Sequence, residues 1–282
     1  MNITTVCVCG AGTMGSGIAQ VCAAAGFPVV LYELNSTVLD RAKLSIEEQL
    51  QKAVEKGKIE ATQKKTILNR ILFNSDLHQC KADLVIEAIA ENAVLKIELF
   101  QQLAAINSSQ TVFATNTSSL SVSVLAEKLP VPEQMAGLHF FNPAPLMKLV
   151  EVVRGNRTSD AVVQTLTAFA RVAGKMPVVC TDAPGFIVNR VARPFYLEAL
   201  RLVEEGAAPL ETIDRLLEKQ GFKLGPFRLM DLIGNDINYA VTNSVYDRLA
   251  QPFRLLPSSI QKEKVEQGAL GRKTGKGFYE YR

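Results

Sequence analysis

Two histidines occur in this 282-residue chain. His78 sits in the polar stretch 74–81 and reads as a surface residue. His139 lies near the end of the apolar run Met135–Phe140, which reads as a strand. Ligand-handling groups gather at the carboxyl ends of strands in open α/β sheets. Further along, Glu151 stands inside a second apolar run, 148–153. A carboxylate among Leu149, Val150, Val152 and Val153 needs a partner to be tolerated there. His139 is the candidate, across the short connection 142–147. An imidazole held by a carboxylate is a general base: the ring takes a hydroxyl proton while the acid orients it and compensates its charge. On its own, such a histidine is more often structural than catalytic.

A second set of residues concerns a cofactor. Gly10-Ala11-Gly12-Thr13-Met14-Gly15 fits G-x-G-x-x-G. The motif alone is weak, but here it follows an apolar strand and opens a small-residue helix. Gly10 allows the tight turn, Gly12 lets the backbone approach a pyrophosphate, and Gly15 lets the helix pack on the strand. The helix N-terminus offers N–H groups to the phosphates. Glu33 ends the next strand, where an acidic side chain accepts hydrogen bonds from ribose hydroxyls and repels a 2′-phosphate. NAD is therefore the expected cofactor rather than NADP. The plain reading of Glu33 is a solvated strand end.

These groups need a scaffold. Apolar runs at 3–9, 28–32, 83–88, 111–115, 134–140, 149–153 and 177–180 alternate with helical patterns at 14–25, 36–70, 93–105 and 160–172. Such alternation predicts a parallel sheet with helices on both faces. The pattern changes at Thr181-Asp182-Ala183-Pro184-Gly185, a turn-rich break. Beyond it, Ile187, Val191, Phe195, Ala199 and Leu202 recur at helical spacing. The chain thus reads as α/β, with a Rossmann-type dinucleotide-binding domain over residues 1–182 and an all-helical C-terminal domain over 183–282.

Composition narrows the function classes. The chain carries 31 Lys and Arg against 28 Asp and Glu, a net charge of +3. The basic residues are spread out, so no nucleic-acid footprint is expected. Five cysteines, an odd number without paired metal-ligand spacing, predict no metal and a reducing, cytoplasmic setting. Cys7 and Cys9 read as strand packing. No apolar stretch approaches membrane-span length, and the first strand leaves no room for a leader.

Six segments together carry a resemblance: GAGTMGSGIAQ, VIEAIAENAVLKIELF, ATNTSSLSV, HFFNPAPLMKLVEVV, DAPGFIVNR and GRKTGKGFYEY. In this order, over nearly the whole chain, they resemble the 3-hydroxyacyl-CoA dehydrogenases, in particular the stand-alone 3-hydroxybutyryl-CoA dehydrogenase type. The resemblance implies NAD-dependent, reversible oxidation of an (S)-3-hydroxyacyl-CoA. It assigns His139 as catalytic base and Glu151 as its partner acid. Ser118 is placed at substrate and nicotinamide, and Asn189 on the substrate side, reaching substrate held between the domains. Glu91, Lys96, Asn142 and Lys273 match cofactor-lining positions, and Lys56 a coenzyme A contact. By type alone, Ser118 reads as a helix cap and Asn189 as a turn or cap amide. Gln49 and Asn235 depart from the family pattern, near coenzyme A and at a common leucine position respectively, and leave the acyl preference open.

Three rivals remain at this stage. A 3-hydroxyadipyl-CoA dehydrogenase shares every residue above. A β-hydroxyacid dehydrogenase would use a lysine base in place of the histidine–glutamate pair. A non-catalytic dinucleotide-binding protein would not keep all four of His139, Glu151, Ser118 and Asn189. The apolar character of 225–250 on more than one helix face predicts a homodimer.

Overall fold

The computed structural model describes residues 2–281. The chain divides between Ala183 and Pro184 into two compact units. Ala183 stays with the first because its N–H bonds to the Thr181 carbonyl, while Asp182 N–H bonds to Arg154.

The first unit is built on β1 (Val6–Cys9), β2 (Val29–Tyr32), β3 (Ile71–Asn74), β4 (Leu84–Glu87), β5 (Val112–Thr115), β6 (Met135–Phe140), β7 (Leu149–Arg154) and β8 (Met176–Thr181). They form one sheet in the order β3-β2-β1-β4-β5-β6-β7-β8. All neighbours are parallel except β6 and β7, which run antiparallel. The helices are α1 (Thr13–Ala24), α2 (Ser36–Glu55), α3 (Ala61–Asn69), α4 (Ala93–Ile106), α5 (Val122–Ala126) and α6 (Asp160–Val172). Alternation along β1 shows how the sheet is filled. Val6 and Val8 join the core that packs α1, α2 and α6 residues; Cys7 and Cys9 join the other, with Phe100 and Phe113. Strands buried on both faces read as continuous apolar runs, which is what the sequence contains.

Three local expectations change. The strand expected from residue 3 starts at Val6; Thr4 and Thr5 instead bind the Asp83 carboxylate through their N–H and hydroxyl groups. The long helix expected over 36–70 is α2 and α3, separated at Gly57, whose φ of +64° suits glycine. β3 has no counterpart among the expected strands. Ile67, Leu68, Ile71 and Leu72 keep helical spacing across its start, so periodicity carries the helix on through Arg70.

β8 is the last strand of the sheet, with Met176, Val178 and Val179 exposed. Met176 N–H bonds inward to the Lys148 carbonyl, so the ring nitrogen of Pro177 faces the outer edge.

The second unit contains α7 (Val188–Glu204), α8 (Leu210–Lys219), α9 (Pro226–Ile233), α10 (Asn235–Arg248) and α11 (Ser259–Glu266). The buried face of α7 is Arg193, Tyr196, Leu197 and Leu200, spaced i, i+3, i+4, i+7. The stripe expected from Ile187 and Val191 is not the buried one: Val191 is 71% exposed.

Candidate active site

The antiparallel turn of the sheet at β7 creates the central pair. His139 and Glu151 are direct cross-strand partners, so their side chains leave the sheet on one face. His139 Nδ1 lies 2.7 Å from Glu151 Oε2, with both side chains buried. A carboxylate accepts only, so Nδ1 carries a proton, and in the neutral ring the lone pair then falls on Nε2. The Phe141 ring packs on the imidazole at 4.5 Å between centroids. His78, by contrast, is exposed.

The β6–β7 connection is pinned from below. Lys175, buried, donates through Nζ to the carbonyls of Ala144 (2.6 Å) and Met147 (2.9 Å). Burial lowers its pKa from the ordinary lysine value. Asn142, at the start of this connection, is exposed and precedes Pro143 through a cis peptide. Asn116, just after β5, accepts from Phe140 N–H at 2.8 Å and ties the neighbouring loop to the end of β6.

That loop carries Ser118, and a carboxylate holds it. Glu91 Oε1 accepts from the hydroxyls of Thr117 (2.5 Å) and Ser119 (2.8 Å) and from the N–H groups of Ser118 and Ser119. Glu91 Oε2 meets Lys96 Nζ at 3.1 Å, and the same ammonium meets Glu87 at 2.6 Å. Lys96 is 1% exposed and Glu87 fully buried. Lys96 therefore meets the site through these two carboxylates, and any part it plays in holding a cofactor runs through Glu91. Burial raises the pKa of Glu87 against the pull of Lys96 and Thr115. Burial also opposes ionisation of Glu91, but Lys96, Thr117 and Ser119 outweigh it and the pKa falls below the ordinary value. Ser118 caps no helix; Ser121 caps α5.

The fingerprint residues form a cradle at the point where the strand order reverses. Gly10 has φ +100°, and a Cβ there would come within 2.6 Å of the Ala88 carbonyl oxygen. A Cβ on Gly15 would collide with the Gly10 carbonyl, so helix and strand touch at this point. A Cβ on Gly12 would meet nothing within 4 Å. Gly12 caps α1 with no side chain, so no capping side chain satisfies the first-turn N–H groups. Ala11 N–H donates to Glu33 Oε2 at 3.1 Å. Gly10, Tyr32, Glu33 and Ile89 line an open groove of about 350 Å³. Open backbone over glycine, a bare helix N-terminus and a strand-end carboxylate suit a dinucleotide's pyrophosphate and ribose.

Lys56 is exposed at the C-terminus of α2. In the second unit Asn189 is the second residue of α7, and its carbonyl accepts from Arg193 Nε. Lys273 Nζ is paired with both Asp236 carboxylate oxygens, at 2.6 and 2.7 Å. Asn235 is fully buried and donates to Asp231. Glu87, Asn116 and Lys175 escaped the sequence reading. Glu87 had a signal, a carboxylate inside the apolar run 83–88, of the same kind that singled out Glu151.

Comparison with known proteins matches residues 5–183 to the 3-hydroxyacyl-CoA dehydrogenase NAD-binding domain family and residues 185–281 to the 3-hydroxyacyl-CoA dehydrogenase C-terminal domain family. The chain is 48% identical to the 3-hydroxyadipyl-CoA dehydrogenase of Escherichia coli strain K12, over all of this chain and 60% of that protein's length. It is 43% identical to a probable 3-hydroxybutyryl-CoA dehydrogenase of Deinococcus radiodurans, covering 97% of this chain and 99% of the relative. The crystal structure of (S)-3-hydroxybutyryl-CoA dehydrogenase from Ralstonia eutropha superposes with a TM-score of 0.95 at 37% identity, over the full length of both chains.

Proposed function

The chain belongs to the 3-hydroxyacyl-CoA dehydrogenase family, and on that footing we propose that it interconverts short-chain (S)-3-hydroxyacyl-CoA and 3-oxoacyl-CoA with NAD. The observation that carries this reading is the buried His139–Glu151 contact at 2.7 Å, which fixes the imidazole tautomer with its lone pair on Nε2. Nε2 takes the proton of the substrate 3-hydroxyl. Glu151 holds the ring in its tautomer and compensates the charge that the ring gains. Bound NAD supplies the hydride acceptor. Gly10, Ala11, Gly12, Thr13, Met14 and Gly15 hold the pyrophosphate, and Glu33 takes the ribose hydroxyls. Glu91 orders the turn that presents Ser118 to the reacting oxygen or the thioester carbonyl. Asn142 as a cofactor contact, Lys56 as a coenzyme A contact, and Asn189 and Lys273 in the second unit rest on the family resemblance.

Tyr32, Leu34 and Asn35 flank Glu33, and none offers a positive charge to a 2′-phosphate. NAD is therefore the proposed cofactor over NADP. The test is NADH formation from NAD with (S)-3-hydroxybutyryl-CoA, run beside (S)-3-hydroxyadipyl-CoA and with NADP in a parallel series. The expected result is the highest kcat/KM with the butyryl thioester and NAD. No NADH from either thioester overturns the activity; faster turnover with NADP overturns the role of Glu33.

We also propose a cytoplasmic homodimer. Leu232, Ile233 and Ile237 stand exposed on α9 and α10, apolar surface that a second copy would cover. Five free cysteines suit a reducing compartment, and no helix among the described residues is long and apolar enough to cross a membrane. Light scattering that gives 30.8 kDa at micromolar concentration contradicts the dimer.

A further inference from the structure

One cluster of chemically active side chains takes no part in the proposed reaction. Cys7 and Cys9 alternate along β1 and so project to the same face. Cys80 follows the short turn Leu77–Gln79 and precedes β4, the strand paired with β1. The Sγ atoms of Cys7 and Cys9 are 3.8 Å apart, and all three sulfurs lie within 4.8 Å of one another. All three residues are fully buried, in an apolar core that includes Val85, Phe100 and Phe113. The sequence spacing, 7, 9 and 80, concealed the convergence.

We propose that Cys7, Cys9 and Cys80 form a binding site for a trivalent thiophilic metalloid, arsenic(III) being the probe. Three thiols in an apolar pocket set a strict condition on charge, because uncompensated charge is costly there. Three thiolates around a monovalent copper ion leave a net charge of two minus. Around zinc they leave one minus, and zinc also requires a fourth ligand for its tetrahedral site. Around arsenic(III) the complex is neutral and three-coordinate. Arsenous acid reacts with the three thiols to give one tris-thiolate arsenic and three waters. Three As–O and three S–H bonds break, three As–S and three O–H bonds form, and no atom changes oxidation state. Cys22 and Cys180 join no such group among the described residues and serve as internal controls. Because the sulfurs are buried, loading requires the turn ahead of β4 to open and is expected to be slow.

The test uses the full chain, reduced and folded, incubated with arsenite and freed of excess. Native mass spectrometry should show one arsenic per chain with loss of three protons. X-ray absorption at the arsenic edge should show three sulfur neighbours and no oxygen. Cys80→Ala should weaken retention about tenfold or more, since a soft As–S bond gives way to As–O. Cys22→Ala and Cys180→Ala should bind as wild type. A folded wild-type chain that takes up no arsenic, arsenic with two sulfurs and an oxygen, or preferential uptake of zinc(II) or copper(I) by the same thiols overturns the proposal. The absorption measurement on wild type stands even if a variant fails to fold.

Discussion

The dyad is most directly tested by removing one charge and no volume. Glu151→Gln keeps the hydrogen-bonding shape beside His139 but cannot compensate the positive ring formed when the hydroxyl proton is taken. The expected loss in kcat is about 10²-fold, the scale of an acid–base contribution, with NAD affinity nearly unchanged. His139→Ala should lose at least as much. Steady-state kinetics beside dinucleotide titration checks both, and a folded Glu151→Gln of near-normal rate counts against the role. Residues of this kind are legible when one feature breaks a local pattern: Glu151 is a carboxylate inside an apolar run. The clamp on the Ser118 turn is not. Glu87 and Lys96 are separated by a strand end, a turn and a helix start, and nothing in their spacing announces that one ammonium will serve two carboxylates.

At the level of elements, β6 and β7 must approach closely to bring the dyad together. Gly137 pairs with Val153, two residues from the His139–Glu151 pair, and a Cβ on Gly137 would lie 2.7 Å from Val153 Cβ. Gly137→Ala therefore overpacks the strand pair. It should cost about 1–3 kcal/mol and reduce turnover by displacing the ring from the acid. Val153→Gly in the same chain removes the Cβ that is met, so the two losses should be less than additive and turnover should partly return. Urea unfolding and kcat on the single and double variants decide the point; additive losses would place the strain elsewhere. Most elements are visible from the alternation of apolar runs and helical patterns, because strands buried on both faces leave an unbroken signature. β3 is hidden because its apolar residues continue the phase of α3, and only tertiary pairing with β2 selects the extended form.

For the whole molecule, the dependence of stability on pH follows from how carboxylates are held. Asp83 fastens the start of the chain to β4. The Thr4 hydroxyl, together with the N–H groups of Thr4 and Thr5 and the Thr5 hydroxyl, keeps its pKa below the ordinary 3.8 despite partial burial. A carboxylate whose pKa is lower in the folded state stabilises the fold above its unfolded pKa. That contribution is lost as the pH falls through the folded value. Asp83→Asn should thus be less stable than wild type at pH 7, and the gap should narrow progressively below about pH 4. Urea midpoints at several pH values measure it. A gap that stays constant into acid would show that packing, not charge, accounts for the difference.

The outward-facing ring nitrogen of Pro177 bears on how the protein behaves in crowded solution. A terminal strand with a free row of donors and acceptors invites a foreign strand to continue the ladder. Here Met176-Pro177-Val178-Val179-Cys180-Thr181 is uncharged and rich in β-forming side chains, and proline removes a donor on the open side. With valine there, the segment would match the short, uncharged, proline-free stretches that seed amyloid-like stacking. Pro177→Val should leave folding and turnover near normal while lowering the concentration at which the heated protein turns turbid. The residue then serves to keep neighbouring molecules apart during the long intervals when nothing is being catalysed.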